Sequence, residues 1–337
     1  MALENQSVLP NKDKFQPLVS IVIPVYNGSN YLAEAIDSAL AQTYENVEIL
    51  VVNDGSSDGG KTRDVALSYG DRIRYFEKEN GGVSTALNLG VRVMRGDYFS
   101  WLSHDDLYAP GKLQLQIAAL GALSSHERDC CIMYSDYSFF SHGGNRSNRS
   151  VIQLSSQLCE SFRFWLTLTS SLHGCTLLIP RRAFTECGLF HAIQRYSQDY
   201  DLWFRFAGLY KFVHSPEELV YSRVHPTQDS AIYARESHAE CSATLMVFLE
   251  SLTTEELSAN GSRTVTRGYG LLGASFIRRG YVGPAKKAFS LAFRKPASKM
   301  EKIAIIIYFS KLLLVQYLLI RLRSLVSTKL RRILRSF

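Results

Sequence analysis

Two runs of β-branched residues near the N-terminus constrain the fold more than any other feature. Val19–Val25 reads VSIVIPV and Val47–Asn53 reads VEILVVN, so both runs are apolar at nearly every position. Strands buried on both faces have this pattern, which is typical of parallel sheets. Between the two runs, residues 31–43 place apolar side chains at helical spacing. This region therefore predicts two parallel strands joined by a helix.

The alternation of strand and helix patterns continues to about residue 121. A short strand is predicted at 73–77, a helix at 83–95 and a fourth strand at 98–102. Pro110 is predicted to take the first position of the next helix, where its missing N–H is tolerated. Strands and helices that alternate with short connections indicate an α/β fold. We expect a Rossmann-like, mostly parallel sheet with helices on both faces.

Beyond residue 130 the pattern loosens and then becomes helical. Further elements are predicted as strands at 131–135, 176–180, 211–214 and 219–223 and as a helix at 199–208. From about residue 231 the chain is predicted to be helical. Residues 267–296 resemble one tetratricopeptide-type hairpin turning at Gly280, and a single unit of that kind is a packing accessory rather than an array. The predicted divisions are a leader at 1–16, an α/β domain at 17–230, a helical region at 231–300 and a tail at 301–337.

Polar residues follow each of the first four strands at the point where the strand ends. These residues are Tyr26-Asn27, the segment 54–58 (DGSSD), the segment 80–82 (NGG) and the segment 103–106 (SHDD). Any one of them alone is compatible with a plain turn. Ligands of open parallel sheets bind beyond the carboxyl ends of the strands, so four such segments at one edge predict a binding site there.

The same segments carry a family resemblance. The stretch VSIVIPVYNGSNYLAEAIDSALAQTYENVEILVVNDGSSDGG, then ENGGVSTALNLGV and GDYFSWLSHDDLYAPGKLQLQ, resembles family 2 of the glycosyltransferases. The resemblance covers roughly residues 17–225. It implies the GT-A fold for the predicted domain at 17–230, a nucleotide-sugar donor (usually a UDP-sugar), Mn²⁺ or Mg²⁺, and inversion at the anomeric carbon.

The resemblance also implies which residues contact the nucleotide. The segment ending at Asn27 would line the nucleobase pocket with the Tyr26 ring, although packing of that ring under the sheet edge is an alternative. Asp54 would accept a hydrogen bond from the uracil ring, while Asp58 is expected to cap a helix or hold the loop. The full predicted set is Pro24, Val25, Tyr26, Asn27, Asp54, Gly82, Asn88, Ser103 and His104.

Asp105 is the implied metal ligand. Oxygen ligands suit Mg²⁺ and Mn²⁺, and the ion would neutralise the departing diphosphate. The family motif D-x-D-D reads Ser103-His104-Asp105-Asp106 here, so a serine replaces its first carboxylate. His225 is a second predicted ligand, with a surface histidine before a proline turn as the alternative. Asp106 and His173 are expected to support the site, although His173 equally fits a tight turn.

Asp199 matches the family's general base, which removes the proton of the acceptor hydroxyl. Gln198 stands where the family usually has Glu, which removes one charge but not the base. Asp201 is the rival carboxylate, and its place near a helix start favours a structural role.

The charge of the chain is concentrated at its C-terminus. Residues 294–337 hold eleven Lys or Arg and one Glu, so a tail of charge +10 follows a body of charge −3. This predicts an anionic membrane surface as partner and no nucleic acid. The apolar run 303–320 is long enough to span a bilayer, but Lys311 opposes insertion by about 2.5–3.5 kcal/mol and both flanks are basic. Interfacial binding fits better, with a helix in the protein core as the alternative.

These observations predict an inverting glycosyltransferase that uses a glycan or lipid-linked acceptor in cell-surface polysaccharide or glycolipid assembly. The N-terminus lacks the apolar core of a signal peptide and no C-x-x-C pair is present, so a cytoplasmic protein with reduced thiols, peripheral to the membrane, is expected. A non-catalytic sugar-nucleotide binder would be expected to lack Asp105 and Asp199, which are both present. An oxidoreductase would need a G-x-G-x-x-G motif after the first strand, and it is missing.

Overall fold

A computed structural model describes residues 15–141, 150–152, 161–228, 232–259, 264–295, 298–300, 302–303 and 306–307, with residues 150–152 described as backbone only. In chain order the strands are β1 (Val19–Val25), β2 (Val47–Asn53), β3 (Arg74–Glu77), β4 (Tyr98–Trp101), β5 (Leu107–Tyr108), β6 (Cys131–Ser141), β7 (Ser150–Ile152), β8 (Ile179–Pro180) and β9 (Lys211–Val224). The helices are α1 (Leu32–Leu40), α2 (Lys61–Leu67), α3 (Val83–Val93), α4 (Lys112–Gly121), α5 (Ser125–Asp129), α6 (Phe162–Thr169), α7 (Arg181–Cys187), α8 (Gln198–Phe206), α9 (Ala234–Ser251), α10 (Thr254–Ser258), α11 (Val265–Arg278) and α12 (Val282–Arg294).

The chain packs as two units that interleave along the sequence. The first unit holds the described residues of Met1–Leu154 together with His173–Phe190 and Leu209–His225. The second holds those of Ser155–Leu172, His191–Gly208 and Pro226–Phe337. The predicted boundary at residue 230 does not coincide with this division, because α6 and α8 pack with the C-terminal helices.

The main sheet of the first unit has the strand order β3-β2-β1-β4-β8. Its strands are parallel except β8, which runs antiparallel to β4. In β1 all seven residues are buried, as the unbroken apolar run predicts. The register pairs Val19 with Val47 and Val25 with Asn53, so β1 and β2 end level with each other. The predicted α/β fold with a mostly parallel sheet is confirmed.

The helices beside this sheet bury the residues that their spacing predicts. In α3 the buried set includes Ala86, Leu87 and Val91, and burial of a side chain such as Leu87 contributes about 1.5–3 kcal/mol. The predicted start of α4 at Pro110 is wrong. The helix begins at Lys112, and the Pro110 carbonyl accepts a hydrogen bond from the Thr43 N–H, which places the proline in the preceding loop.

A second sheet, of order β5-β9-β6-β7, was not predicted as a separate sheet. Two short strands were predicted between residues 211 and 223, but β9 is continuous over that range. Ser215 and Glu218 pair with consecutive residues of β6, so Pro216 and Glu217 form a bulge that absorbs a proline lacking an N–H donor. The strand predicted at 176–180 is reduced to β8, because Gly174–Thr176 forms a 3₁₀ turn.

The second unit is helical in its described residues. The predicted hairpin is present as α11 and α12, and its turn uses Gly280 at φ +88°, a left-handed conformation that favours glycine. The Phe289 ring packs against Gly273, where an added Cβ would lie 2.6 Å from the ring. Leu271 is 37% exposed. The inward side chains of the hairpin are Leu272, Ala274, Phe276, Ala285, Ala288, Phe289 and Ala292.

Both predicted terminal segments lie largely outside the described residues. Of the predicted leader at 1–16, the structure describes residues 15 and 16, and of the tail at 301–337 it describes 302–303 and 306–307. No helix within the described part of the chain is long and apolar enough to cross a membrane.

Candidate functional site

The loops that follow β1 and β2 are joined at the carboxyl edge of the main sheet. The Asn27 N–H donates to the Ser56 Oγ at 2.8 Å, and the Asn27 Oδ1 accepts from the Ser57 N–H at 2.8 Å. Asn27 has φ +50°, a conformation that asparagine tolerates better than most residues. The Tyr26 ring is 46% exposed at this edge. Packing of that ring under the sheet edge is therefore wrong.

Asp54 holds the loop that leads into α3. Its buried carboxylate accepts from the Gly82 N–H at 2.7 Å, from the Gly81 N–H at 3.1 Å and from the Lys78 Nζ at 2.5 Å. Gly82 has φ +87°, so this turn requires glycine. Asp54 thus positions this loop, in addition to its predicted contact with uracil.

Asp58 and Asn88 also hold the backbone. Asp58 accepts from the Thr62 N–H at 3.0 Å and the Thr62 Oγ1 at 2.6 Å, which confirms that it holds the start of α2. The Asn88 amide donates to the Phe190 carbonyl at 2.8 Å and accepts from the Phe190 N–H at 3.0 Å. Both ends of this buried amide therefore bind the backbone of Phe190. For this reason we do not include Asn88 among the nucleotide-binding residues, where it was predicted to be.

Asp105 and His225 converge where β4 and β9 end. The Asp105 Oδ2 lies 3.0 Å from the His225 Nε2. Adjacent ligands of an octahedral ion with bonds of about 2.1 Å are themselves about 3.0 Å apart, so the two atoms fit neighbouring positions on Mg²⁺ or Mn²⁺. His225 is 8% exposed and its ring lies 4.9 Å from that of Tyr31, so the alternative of a surface histidine is wrong.

Asp105 and Asp106 are in different electrostatic environments. Burial acts to raise the pKa of Asp105, but the charge of His104 and the hydrogen bond with His225 outweigh it, and the net pKa is lowered. Burial and the neighbouring Asp105 charge raise the pKa of Asp106 well above its ordinary value. The environment thus favours the ionised form of Asp105 over that of Asp106.

Arg223 connects these residues and was missed at the sequence level. Its N–H donates to the Asp106 Oδ1 at 2.9 Å and its Nε to the Asp105 carbonyl at 3.0 Å. Its guanidinium pairs with Glu34 at 2.9 Å and lies 4.5 Å from the centre of the Tyr31 ring. The sequence did offer a signal for it: Arg223 is a basic residue in a predicted strand, two positions before His225.

His173, Asp106 and Cys175 form a compact cluster whose potential ligand atoms lie within 4.8 Å of one another. The His173 Nδ1 accepts from the Cys175 N–H at 3.3 Å, so the ring proton is on Nε2, which faces the Asp106 Oδ2 at 3.6 Å. Burial raises the pKa of both Asp106 and Cys175 and lowers that of His173 to about 4. A neutral imidazole is the form that binds a metal ion, whereas the Cys175 thiol and the Asp106 carboxyl group would have to lose their protons to do so. The cluster also supports Ser103, whose N–H donates to the Cys175 Sγ at 3.3 Å.

His104 covers the start of the β1–α1 connection. A Cβ added to Gly28 would lie 2.4 Å from the His104 Cδ2, so the ring packs directly on the glycine backbone. This places the predicted residue His104 next to Asn27, as a shared nucleotide site requires.

In the second unit, Asp199 and Asp201 both lie in the first turn of α8. Asp201 pairs with Arg205 at 2.9 Å and with His191 at 3.4 Å. The Asp199 carboxylate accepts from the Tyr200 N–H at 2.8 Å, and burial, followed by the charge of Glu240, raises its pKa to about 6. The Gln198 Oε1 is buried without a hydrogen-bond partner among the described residues. Asp201 is thus neutralised, while Asp199 has the properties of a base.

Comparisons with known proteins identify the family of this chain. The model of glycosyl transferase family 2 matches residues 20–187. An uncharacterized glycosyltransferase of Rickettsia typhi is 46% identical over 255 residues, which span 73% of this chain and 76% of that protein. The chain belongs to glycosyltransferase family 2. It is an enzyme of the glycosyltransferase class, as predicted.

The chain matches other members of family 2 over only part of their length. An uncharacterized glycosyltransferase of Rickettsia felis is also 46% identical, but the match spans 42% of that protein. Among solved structures, residues 1–349 of S. aureus TarS in complex with UDP match at a TM-score of 0.54 and 17% identity, covering 85% of this chain and 77% of that one. A mannosyltransferase of Pyrobaculum calidifontis with GDP-Man and Mn²⁺ matches at a TM-score of 0.51 and 17% identity, covering 89% and 81%. These likenesses confirm the GT-A fold.

Proposed function

We propose that this enzyme is an inverting glycosyltransferase that moves a sugar from a UDP-sugar to an acceptor hydroxyl. The observation that carries the proposal is the convergence of Asp105 and His225 at 3.0 Å, at the edge where the Tyr26 ring is exposed. A charged carboxylate and an imidazole placed there suit a divalent cation and the diphosphate it binds.

The donor is assigned to the carboxyl edge of the main sheet. The Tyr26 ring would stack on the uracil, and the backbone of Pro24, Val25 and Asn27 would line its pocket. Asp54 would accept from the imide N–H and hold Gly82 in place, while Ser103 and His104 would border the ribose and diphosphate. UDP is the nucleotide in the matching S. aureus TarS structure, which is consistent with this choice.

Asp105 and His225 would hold Mn²⁺ or Mg²⁺. The ion, when bound, neutralises the charge that develops on the departing UDP. Arg223 keeps the ligand pair in place through the Asp105 carbonyl and the Asp106 carboxyl group. The matching mannosyltransferase contains Mn²⁺, which favours that metal over Mg²⁺.

Asp199 would act as the general base. As the acceptor oxygen bonds to the anomeric carbon, the bond from that carbon to the diphosphate oxygen breaks, and the hydroxyl proton passes to the Asp199 carboxylate. A pKa of about 6 leaves Asp199 ionised at pH 7 yet more basic than an exposed carboxylate. Attack from the face opposite UDP inverts the anomeric configuration.

The acceptor and the cellular location are proposed from the sequence. The acceptor would be a glycan or a lipid-linked sugar in cell-surface polysaccharide or glycolipid assembly. The basic tail would bind an anionic membrane from the cytoplasmic side, where such an acceptor is held.

Calorimetric titration of UDP with and without Mn²⁺ tests the donor site. Wild-type protein is expected to bind UDP more tightly with Mn²⁺, whereas Asp105→Asn and His225→Gln should bind it equally with and without the ion. Asp201→Asn is the matched control, because its carboxylate pairs within the second unit. UDP binding that ignores Mn²⁺ in the wild type would refute the proposed metal site.

A further inference from the structure

The loop that leads into α8 is held by one carboxylate from the C-terminal helices. Three consecutive N–H groups, those of Arg195, Tyr196 and Ser197, donate to the side chain of Glu240 on α9 at 3.0, 2.8 and 2.8 Å. The Ser197 Oγ donates to the same carboxylate at 2.9 Å. Glu240 therefore satisfies four donors of a loop that ends two residues before Asp199.

The contacts with Glu240 take the place of the side-chain cap that commonly begins a helix. Ser197 occupies the N-cap position of α8 but makes no side-chain capping bond, because its hydroxyl binds Glu240 and lies 2.8 Å from the Thr244 Oγ1. The Ser197 carbonyl still accepts the first helical bond, from the Asp201 N–H at 3.0 Å. The direction of the first turn of α8 thus depends on α9 rather than on a local cap.

Glu240 keeps its charge in this position. Burial acts to raise its pKa, but the hydrogen bonds from the loop outweigh that effect and the net pKa is lowered. Hydrogen bonds to an ionised acceptor are about twice as strong as neutral ones, so the loop is held firmly. Removal of the carboxylate would leave the buried Ser197 N–H without this partner, which is costly for a buried donor.

We propose that Glu240 is a positioning residue for the general base, because it fixes the 195–197 loop and thereby the place of the Asp199 carboxylate. The inference rests on the proposed role of Asp199. It extends the catalytic machinery to α9, which lies beyond the residues that the family model matches.

The charge of Glu240 also acts on Asp199 directly. Burial is the main cause of the raised pKa of Asp199, and the Glu240 charge adds a smaller effect in the same direction. Cys241 of α9, whose own pKa burial raises, and Asp201, which pairs with Arg205, also lie near Asp199. Glu240 is therefore the charged residue of α9 that raises the basicity of Asp199.

Glu240→Gln separates positioning by the hydrogen bonds from the effect of charge. Glutamine with its oxygen in the place of Oε1 keeps an acceptor for the Tyr196 and Ser197 N–H groups and loses the charge together with the Oε2 contact to the Arg195 N–H. We expect kcat for UDP release from UDP-glucose, UDP-galactose or UDP-GlcNAc to retain its magnitude near pH 8. The acid limb of its pH profile should move to lower pH. Glu240→Ala removes both effects and should reduce kcat by up to about 10²-fold, with the KM of the donor unchanged.

Two further variants complete the test. Ser197→Ala removes one hydroxyl contact but no charge, so its acid limb should stay at the wild-type pH. Glu240→Asp should restore part of the acid-limb position that Glu240→Gln loses. A pH profile of Glu240→Gln identical to that of the wild type, with Asp199→Asn inactive, would overturn the role of Glu240 and leave the base in place. Full turnover by Asp199→Asn would instead refute the proposed base.

Discussion

Replacement of Asp199 by asparagine should stabilise the protein while abolishing its turnover. Asparagine has nearly the same shape as aspartate but takes no proton, so transfer should slow by about 10²–10⁴-fold, the range for loss of a general base. The gain in stability follows from the buried charge. Burial raises the pKa of Asp199 from its ordinary value of 3.8 to about 6, so the ionised form is less stable in the folded protein than in the unfolded chain.

The size and pH range of this effect follow from linkage. Between the two pKa values the folded protein binds more protons than the unfolded chain, so the free energy of unfolding falls as pH rises from about 4 to about 6. A shift of about two pKa units corresponds to about 3 kcal/mol as an upper value. Asp199→Asn lacks this penalty. It should exceed the wild type by about 1–3 kcal/mol at pH 8 and match it near pH 4.

Urea denaturation of the full chain at pH 4, 6 and 8 measures this difference. Asp201→Asn is the matched control on the same helix turn, because it removes a carboxylate that pairs with Arg205 and His191. That variant should be no more stable than the wild type at any pH. An equal gain for both variants, or no gain for Asp199→Asn at pH 8, would refute the assignment of Asp199 as a buried, poorly solvated carboxylate.

Three other predictions follow from the site and the tail. His225→Gln should weaken the Mn²⁺-dependent binding of UDP, measured by calorimetry, with only a small change in the midpoint of urea unfolding, because His225 is assigned to the ion. Asn88→Ala leaves the Phe190 backbone groups without their partner and should reduce the free energy of unfolding by about 1–3 kcal/mol, while the folded variant keeps its UDP affinity. Deletion of 301–337 should release the enzyme from anionic vesicles in a flotation assay and leave turnover of soluble donor intact. An aggregated, inactive product would show that this segment belongs to the protein core.

The main sheet and its polar edge were predictable because their signals are local. The apolar run of β1 and the polar residues after each strand are contiguous in the sequence, and parallel strands bring their carboxyl ends to one edge without further information. Asp105 was predicted in this way, since it lies in the polar segment that follows β4. His225, its proposed metal partner, was predicted only through the family resemblance.

The residues that position the site were not predictable in the same way, because their contacts join distant parts of the chain. Asp106 and the Arg223 N–H are separated by 117 residues, and Arg195 and Glu240 by 45. The same reason explains the second sheet, whose longest pairing joins β6 to β9 around a bulge at Pro216. Such contacts depend on strand pairing that periodicity does not specify.

The anomeric configuration of the first product tests the proposed mechanism most directly. The full-length enzyme would be given an α-linked UDP-sugar and Mn²⁺, and the product would be followed by proton NMR before mutarotation. Single displacement with Asp199 as base predicts that the first product is the β anomer, that it forms only with the divalent ion, and that Asp199→Asn forms almost none. An α anomer as the first product, or undiminished turnover by Asp199→Asn, would contradict the account.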